Sequence, residues 1–203
     1  MITASSRLLL VIITLVFIIY LYKSYGHFNL THVKSSIDNN NYLVRNVPDK
    51  VHAANTLARI KQHMNTIATQ LYNNRNTYDP EFAKYIANSR DIITNVNIRE
   101  NSNDGDDAEY TSYSKSKGEL IVYCIRSRDM TSNNNIHDLN LIMYVVLHEV
   151  SHIICPEYGH TDLFKRIFAL VTTEAIKIGI YSRIDFKSNP VNYCGMQITE
   201  SIV

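Results

Sequence analysis

The chain has 203 residues, with 20 Lys and Arg against 19 Asp and Glu and a formal net charge of +1. That length suits one folded domain plus an appendage, and the even charge excludes a broad basic face for nucleic acid. Three widely spaced cysteines, Cys124, Cys155 and Cys194, predict no disulfide framework and suit a reducing compartment.

The first element is LLLVIITLVFIIYLY, Leu8 to Tyr22, free of charge and bracketed by Arg7 and Lys23. As a helix it would run about 22 Å at 1.5 Å per residue. With its flanks and snorkelling basic residues this predicts a single transmembrane helix within residues 1–23. No small-x-small cleavage site follows, which disfavours a signal peptide. Residues 24–47 lack sustained periodicity and read as a linker, leaving 48–203 as the folded domain.

Leu57, Ile60, Met64, Ile67 and Leu71 recur at spacings of three and four after Asp49, so an amphipathic helix capped by Asp49 is expected there. Asp79-Pro80 opens a short second helix burying Phe82 and Ile86. The acidic stretch NSNDGDDAE, Asn101 to Glu109, lacks the ligand register of a calcium loop and reads as solvated. YTSYS and ELIVYCIR then predict a β-hairpin turning near Gly118, with ELIVYCIR offering an edge to an extended peptide. Lys115, Lys117, Arg126 and Arg128 along it read as a solvated, edge-protecting strip.

LNLIMYVVLHEVSHII, Leu139 to Ile154, is apolar almost all round, the pattern of a helix buried on most faces. His148 and His152 lie four apart, on one helical face, where both imidazoles reach a single cation. Burying them with Glu149 would be costly without a partner, and a zinc ion supplies it. A catalytic zinc takes three protein ligands and keeps one position open. Pro156 and Gly159 end the helix and turn the chain so that His160 becomes the third ligand. Glu149, beside a ligand, is then the general base and later the acid. Tyr158, Tyr181 and Tyr193 are unranked candidates for stabilising an oxyanion. Thr161 caps a further helix with Phe164, Ile167, Phe168, Val171, Ala175 and Ile178 as its apolar stripe.

At HEVSH and Gly159-His160-Thr161-Asp162-Leu163-Phe164 the chain resembles the gluzincin-type minimal metallopeptidases of the WLM and SprT-like groups, in which a histidine in a G-H-x-x-x-F setting follows H-E-x-x-H. Metzincins place their third histidine where this chain has Tyr158. KGELIVYCIR, HDLNLIMYVVLHEVSH and GIYSRIDFKSNPVNYCGM together are similar to uncharacterised metallopeptidase-like proteins of large DNA viruses, over about residues 48 to 200. The resemblance implies a zincin-like α+β fold with a small β-sheet and an HExxH active-site helix, here behind an N-terminal transmembrane helix. It implies one Zn2+ per chain on His148, His152 and His160, Glu149 as catalytic acid/base, and a protein or peptide substrate. With residues 8–22 in a bilayer, the expectation is a single-pass metallopeptidase of a viral or host intracellular membrane. The alternative is a non-catalytic membrane protein that keeps zinc only to hold its fold.

Overall fold

The computed structural model describes residues 4–128 and 135–203. Helix α1 (Ala4–Phe28) is followed by an antiparallel hairpin, β1 (Leu30–Lys34) and β2 (Asn41–Arg45). Among the described residues no helix is long and apolar enough to cross a membrane. The charge-free run in α1 is about 22 Å long at 1.5 Å per residue, against a hydrocarbon core of about 30 Å. Lys23, Gly26 and His27 follow it. This corrects the expected transmembrane anchor and with it the single-pass membrane location; residues 1–3 of that segment lie outside the described residues.

The expected linker is also corrected. Residues 30–45 are folded, because Tyr42 and Val44 alternate inward from β2 and are buried in the core. Asn55 accepts hydrogen bonds from the Ser36 N–H and the Ser35 hydroxyl, which fixes the hairpin's turn to the next helix. These bonds follow from tertiary contacts that no short-range periodicity records.

Helix α2 (Lys50–Asn74) buries Leu57, Ile60, Met64, Ile67 and Leu71, the stripe its spacing predicts. Asp49 precedes it but makes no side-chain cap; its carboxylate is taken by Arg126 instead. Helix α3 (Pro80–Asn95) is a full 16 residues, with Asp79 accepting from the Glu81 N–H. Ile86 is buried and Phe82 packs against the core margin.

A three-stranded sheet follows, in the order β3 (Asn97–Glu100), β5 (Leu120–Tyr123), β4 (Tyr113–Lys115). β3 runs parallel to β5, and β4 antiparallel to it through the expected hairpin. Consequently β5 is central and β3 and β4 hold the two edges, so the edge beside the cleft sits on YSK and not on ELIVYCIR. Between β3 and β4 the acidic stretch contains α4 (Asp106–Glu109), and Asp107 is buried in an ion pair with Arg99. That stretch is structural, not merely solvated. Arg126 likewise leaves the expected exposed strip: it is buried against Glu100 and Asp49.

Helix α5 (Leu139–Ile154) runs through the core, capped by Asp138, and α6 (Asp162–Lys177) packs beside it, capped by Thr161. The chain ends with a small hairpin, β6 (Val191–Tyr193) and β7 (Met196–Ile198). Its turn carries Cys194, which forms a disulfide with Cys124 at the end of β5. The expectation of no disulfide is therefore overturned. Chain order separates this pair by 70 residues, and only folding brings them together; closing a loop of that size contributes about 4 kcal/mol on the chain-entropy account. Cys155 remains a buried free thiol.

Candidate metal centre

His148 and His152 project from one face of α5 a turn apart, and His160 returns from the loop before α6. Their Nε2 atoms lie 3.1 Å (His148 to His152), 3.2 Å (His152 to His160) and 3.0 Å (His148 to His160) from one another. Three ring nitrogens aimed at one point crowd their lone pairs or hydrogens together, and a shared cation relieves that crowding. A tetrahedral zinc with Zn–N of about 2.0–2.1 Å sets its ligand nitrogens about 3.3 Å apart. The residues present therefore fit such an ion.

Electrostatics favour the ligand form of the rings. Burial, then the neighbouring imidazoles, hold His148 well below the usual histidine value, at about 3. Burial, then His160 and Lys117, bring His152 down to about 4. Both are neutral near pH 7, and a neutral imidazole is the form that binds metal.

Phe164 explains the H-x-x-x-F spacing. One helical turn beyond His160, it stacks on His152 with centroids 4.1 Å apart, and its ring lies 5.0 Å from both His148 and His160. Phe168 adds an edge contact to His148 at 5.2 Å. The aromatic floor limits ring rotation and keeps water from one side of the cluster.

Glu149 is 6% exposed and faces a cleft of about 480 Å³ shared with His148, His152 and His160. Burial alone raises its carboxyl to about 7. The opposite wall is Ser112, Tyr113 and Ser114, at the outer edge strand β4. YTSYS predicts a strand there but nothing that ties it to the histidines; only the pairing of β4 onto β5 brings these residues to the cleft. Of the three tyrosines, Tyr158 alone lines the cleft, and it is 83% exposed. Tyr181 is buried, its oxygen accepting from the Ile184 N–H. Tyr193 is buried too and donates to the Cys124 carbonyl.

Fold and cluster together define the class: an α+β domain whose core helix presents H-E-x-x-H, completed by a histidine from the next loop, to an open cleft. The chain belongs to a family of proteins from large DNA viruses. It is 40% identical over 173 residues to an uncharacterised protein of Acanthamoeba polyphaga mimivirus, covering 85% of this chain and 84% of that one. An uncharacterised protein of Invertebrate iridescent virus 6 is 29% identical over 107 residues, 53% of each chain. One of Invertebrate iridescent virus 3 is 36% identical over 104 residues, 51% of this chain and 60% of the relative. No family model matches the chain, and no solved structure matches it. The expected zincin-like architecture behind a transmembrane helix is corrected to this extent: the fold is α+β with small sheets, and among the described residues no helix is long and apolar enough to cross a membrane.

Proposed function

We propose that this protein is a zinc-dependent peptide hydrolase, with His148, His152 and His160 holding one Zn2+ and Glu149 moving the proton. The observation that carries the reading is the meeting of three Nε2 atoms within 3.2 Å of one another beside a nearly buried carboxylate in an open cleft. The resemblance of HEVSH and Gly159-His160 to the WLM and SprT-like metallopeptidases supports the same chemistry. When bound, zinc acts as a Lewis acid that lowers the pKa of water and polarises a carbonyl.

The chain's own residues have separate tasks. Glu149 takes a proton from the attacking water on a carboxylate oxygen and later delivers it to the leaving amine nitrogen. Burial brings its proton affinity close to neutrality, where a group that both accepts and donates works best. β4 offers its outer edge to the backbone of an extended peptide, and Tyr113 and Ser114 border the strip where that peptide would lie. The near-zero net charge gives no reason to invoke nucleic acid.

The test is zinc content and cleavage of an unfolded protein substrate by the full chain and by Glu149→Gln. The expected outcome is one zinc in each and a loss of turnover of about 10²–10⁴-fold in the variant. Equal turnover in both, or zinc uptake with no cleavage of any peptide by the wild type, would overturn the hydrolase reading.

A further inference from the structure

Lys117 is not used by the proposed chemistry, yet it stands at the tip of the β4–β5 turn facing the cleft. Ser116 and Lys117 both adopt left-handed backbone, at φ 49° and 47°. For residues with a side chain that conformation costs about 1–2 kcal/mol each, so the surroundings must hold it. Gly118 shows how: a Cβ there would lie 2.4 Å from Ile92 Cγ2, so the turn is seated hard against α3, with Ile153 of α5 next to it.

Seated in this way, the turn delivers an ammonium to the end of α5. Lys117 Nζ donates to the Pro156 carbonyl at 2.7 Å and the Cys155 carbonyl at 3.4 Å, and stands 4.1 Å over the Tyr158 ring. Cys155, Pro156 and Tyr158 belong to the segment that carries the chain from His152 to His160, and residues 156–160 are exposed. Among the described residues, no other side chain hydrogen-bonds the backbone of 155–160.

We propose that Lys117 is the positioning residue for the third ligand: by tying Cys155, Pro156 and Tyr158 to the sheet turn, it holds His160 where its Nε2 meets those of His148 and His152. The inference rests on the metal reading above. Charge and geometry make opposite demands here, which makes the role measurable. A cation beside a metal site repels the metal, so removing it for electrostatic reasons alone would tighten binding. Removing a tether loosens binding, because the ordering of the loop then opposes metal uptake.

The experiment is zinc titration of the full chain against a chromophoric chelator, with thermal melting of the metal-free proteins alongside. Lys117→Met is expected to weaken zinc binding about 10–100-fold, the range for groups that orient ligands, while the metal-free melt stays close to wild type. Lys117→Arg keeps two donors and a planar cation for the Tyr158 face, and is expected to restore most of the affinity. Unchanged or tighter binding by Lys117→Met overturns the proposal. So does a lowered melt with unchanged affinity of the folded protein, which would mark a helix cap and nothing more. Absence of zinc uptake by the wild type overturns the metal reading itself, a distinct outcome.

Discussion

Two polar clusters are buried in this domain, and they differ in how their groups are satisfied. Near the base of the β1–β2 hairpin, the Arg126 Nε donates to Glu100 at 2.6 Å and its guanidinium also pairs with Asp49, while the Arg45 N–H donates to Glu100 at 2.8 Å. Adjacent to it, Asp107 accepts two bonds from Arg99, two from Ser102 and one from Tyr113. Every charge there has an internal counter-charge. In the histidine cluster, by contrast, three imidazole rings face one another, burial lowers His148 and His152, and the Glu149 carboxyl is shifted by burial alone. Low dielectric makes an unpaired group expensive, so an arrangement closed by its own bonds stabilises a fold, and one left open calls for a partner from outside. The two are linked by Tyr113, which bonds Asp107 with its hydroxyl and lines the cleft. The closed cluster thereby anchors the strand that walls the open one.

The largest expected effect on this contrast is Arg126→Met. It strands Glu100, 1% exposed, without its counter-charge, and breaking a buried pair in this way costs about 3–5 kcal/mol. Urea unfolding should show that loss, while the zinc affinity of the folded fraction stays near wild type. Zinc comes next: at 100-fold excess over its dissociation constant it should stabilise the wild type by about 2.7 kcal/mol. In His148→Ala the same titration should leave the unfolding midpoint unmoved; equal stabilisation in both would erase the distinction between open and closed clusters.

Acid has the smallest effect and acts on the closed cluster. Burial pushes the Asp107 carboxyl up, but the bonds from Arg99, Tyr113 and Ser102 outweigh it and hold it well below its ordinary 3.8. A depressed carboxylate contributes stability that is complete above its unfolded value and is lost as pH falls through the folded one. Below about pH 4, unfolding free energy should therefore decline, by no more than about 1.4 kcal/mol per pH unit for this single group. Asp107→Asn should flatten that limb; an unchanged slope would show that Asp107 is not held by its neighbours.

Legibility in the sequence follows the range of the interaction. His148, Glu149 and His152 were readable because a helix fixes their relation through local hydrogen bonds, and Asp79, Thr161 and the stripes of α2 and α6 are readable for the same reason. His160 required only a helix end and a short loop. Cys124 and Cys194 could not be paired, since 70 residues of chain separate them. The hairpin at residues 30–45 was hidden because its five-residue strands alternate weakly and take their burial from α2. The apolar run at the amino terminus misled in the other direction: hydrophobicity alone suggested a span that its length does not meet.

By itself, then, the sequence determined the stripes of α2 and α6, the Asp79 and Thr161 caps and the cluster of histidines with its carboxylate, because each depends on residues within one or two turns of each other. Tertiary structure alone decided which strand holds the edge beside the cleft, which charges pair, which cysteines join and which lysine reaches the loop before His160. Those outcomes depend on segments that meet only after the chain has collapsed, where burial sets the energy of a contact and separation along the chain leaves no periodic trace.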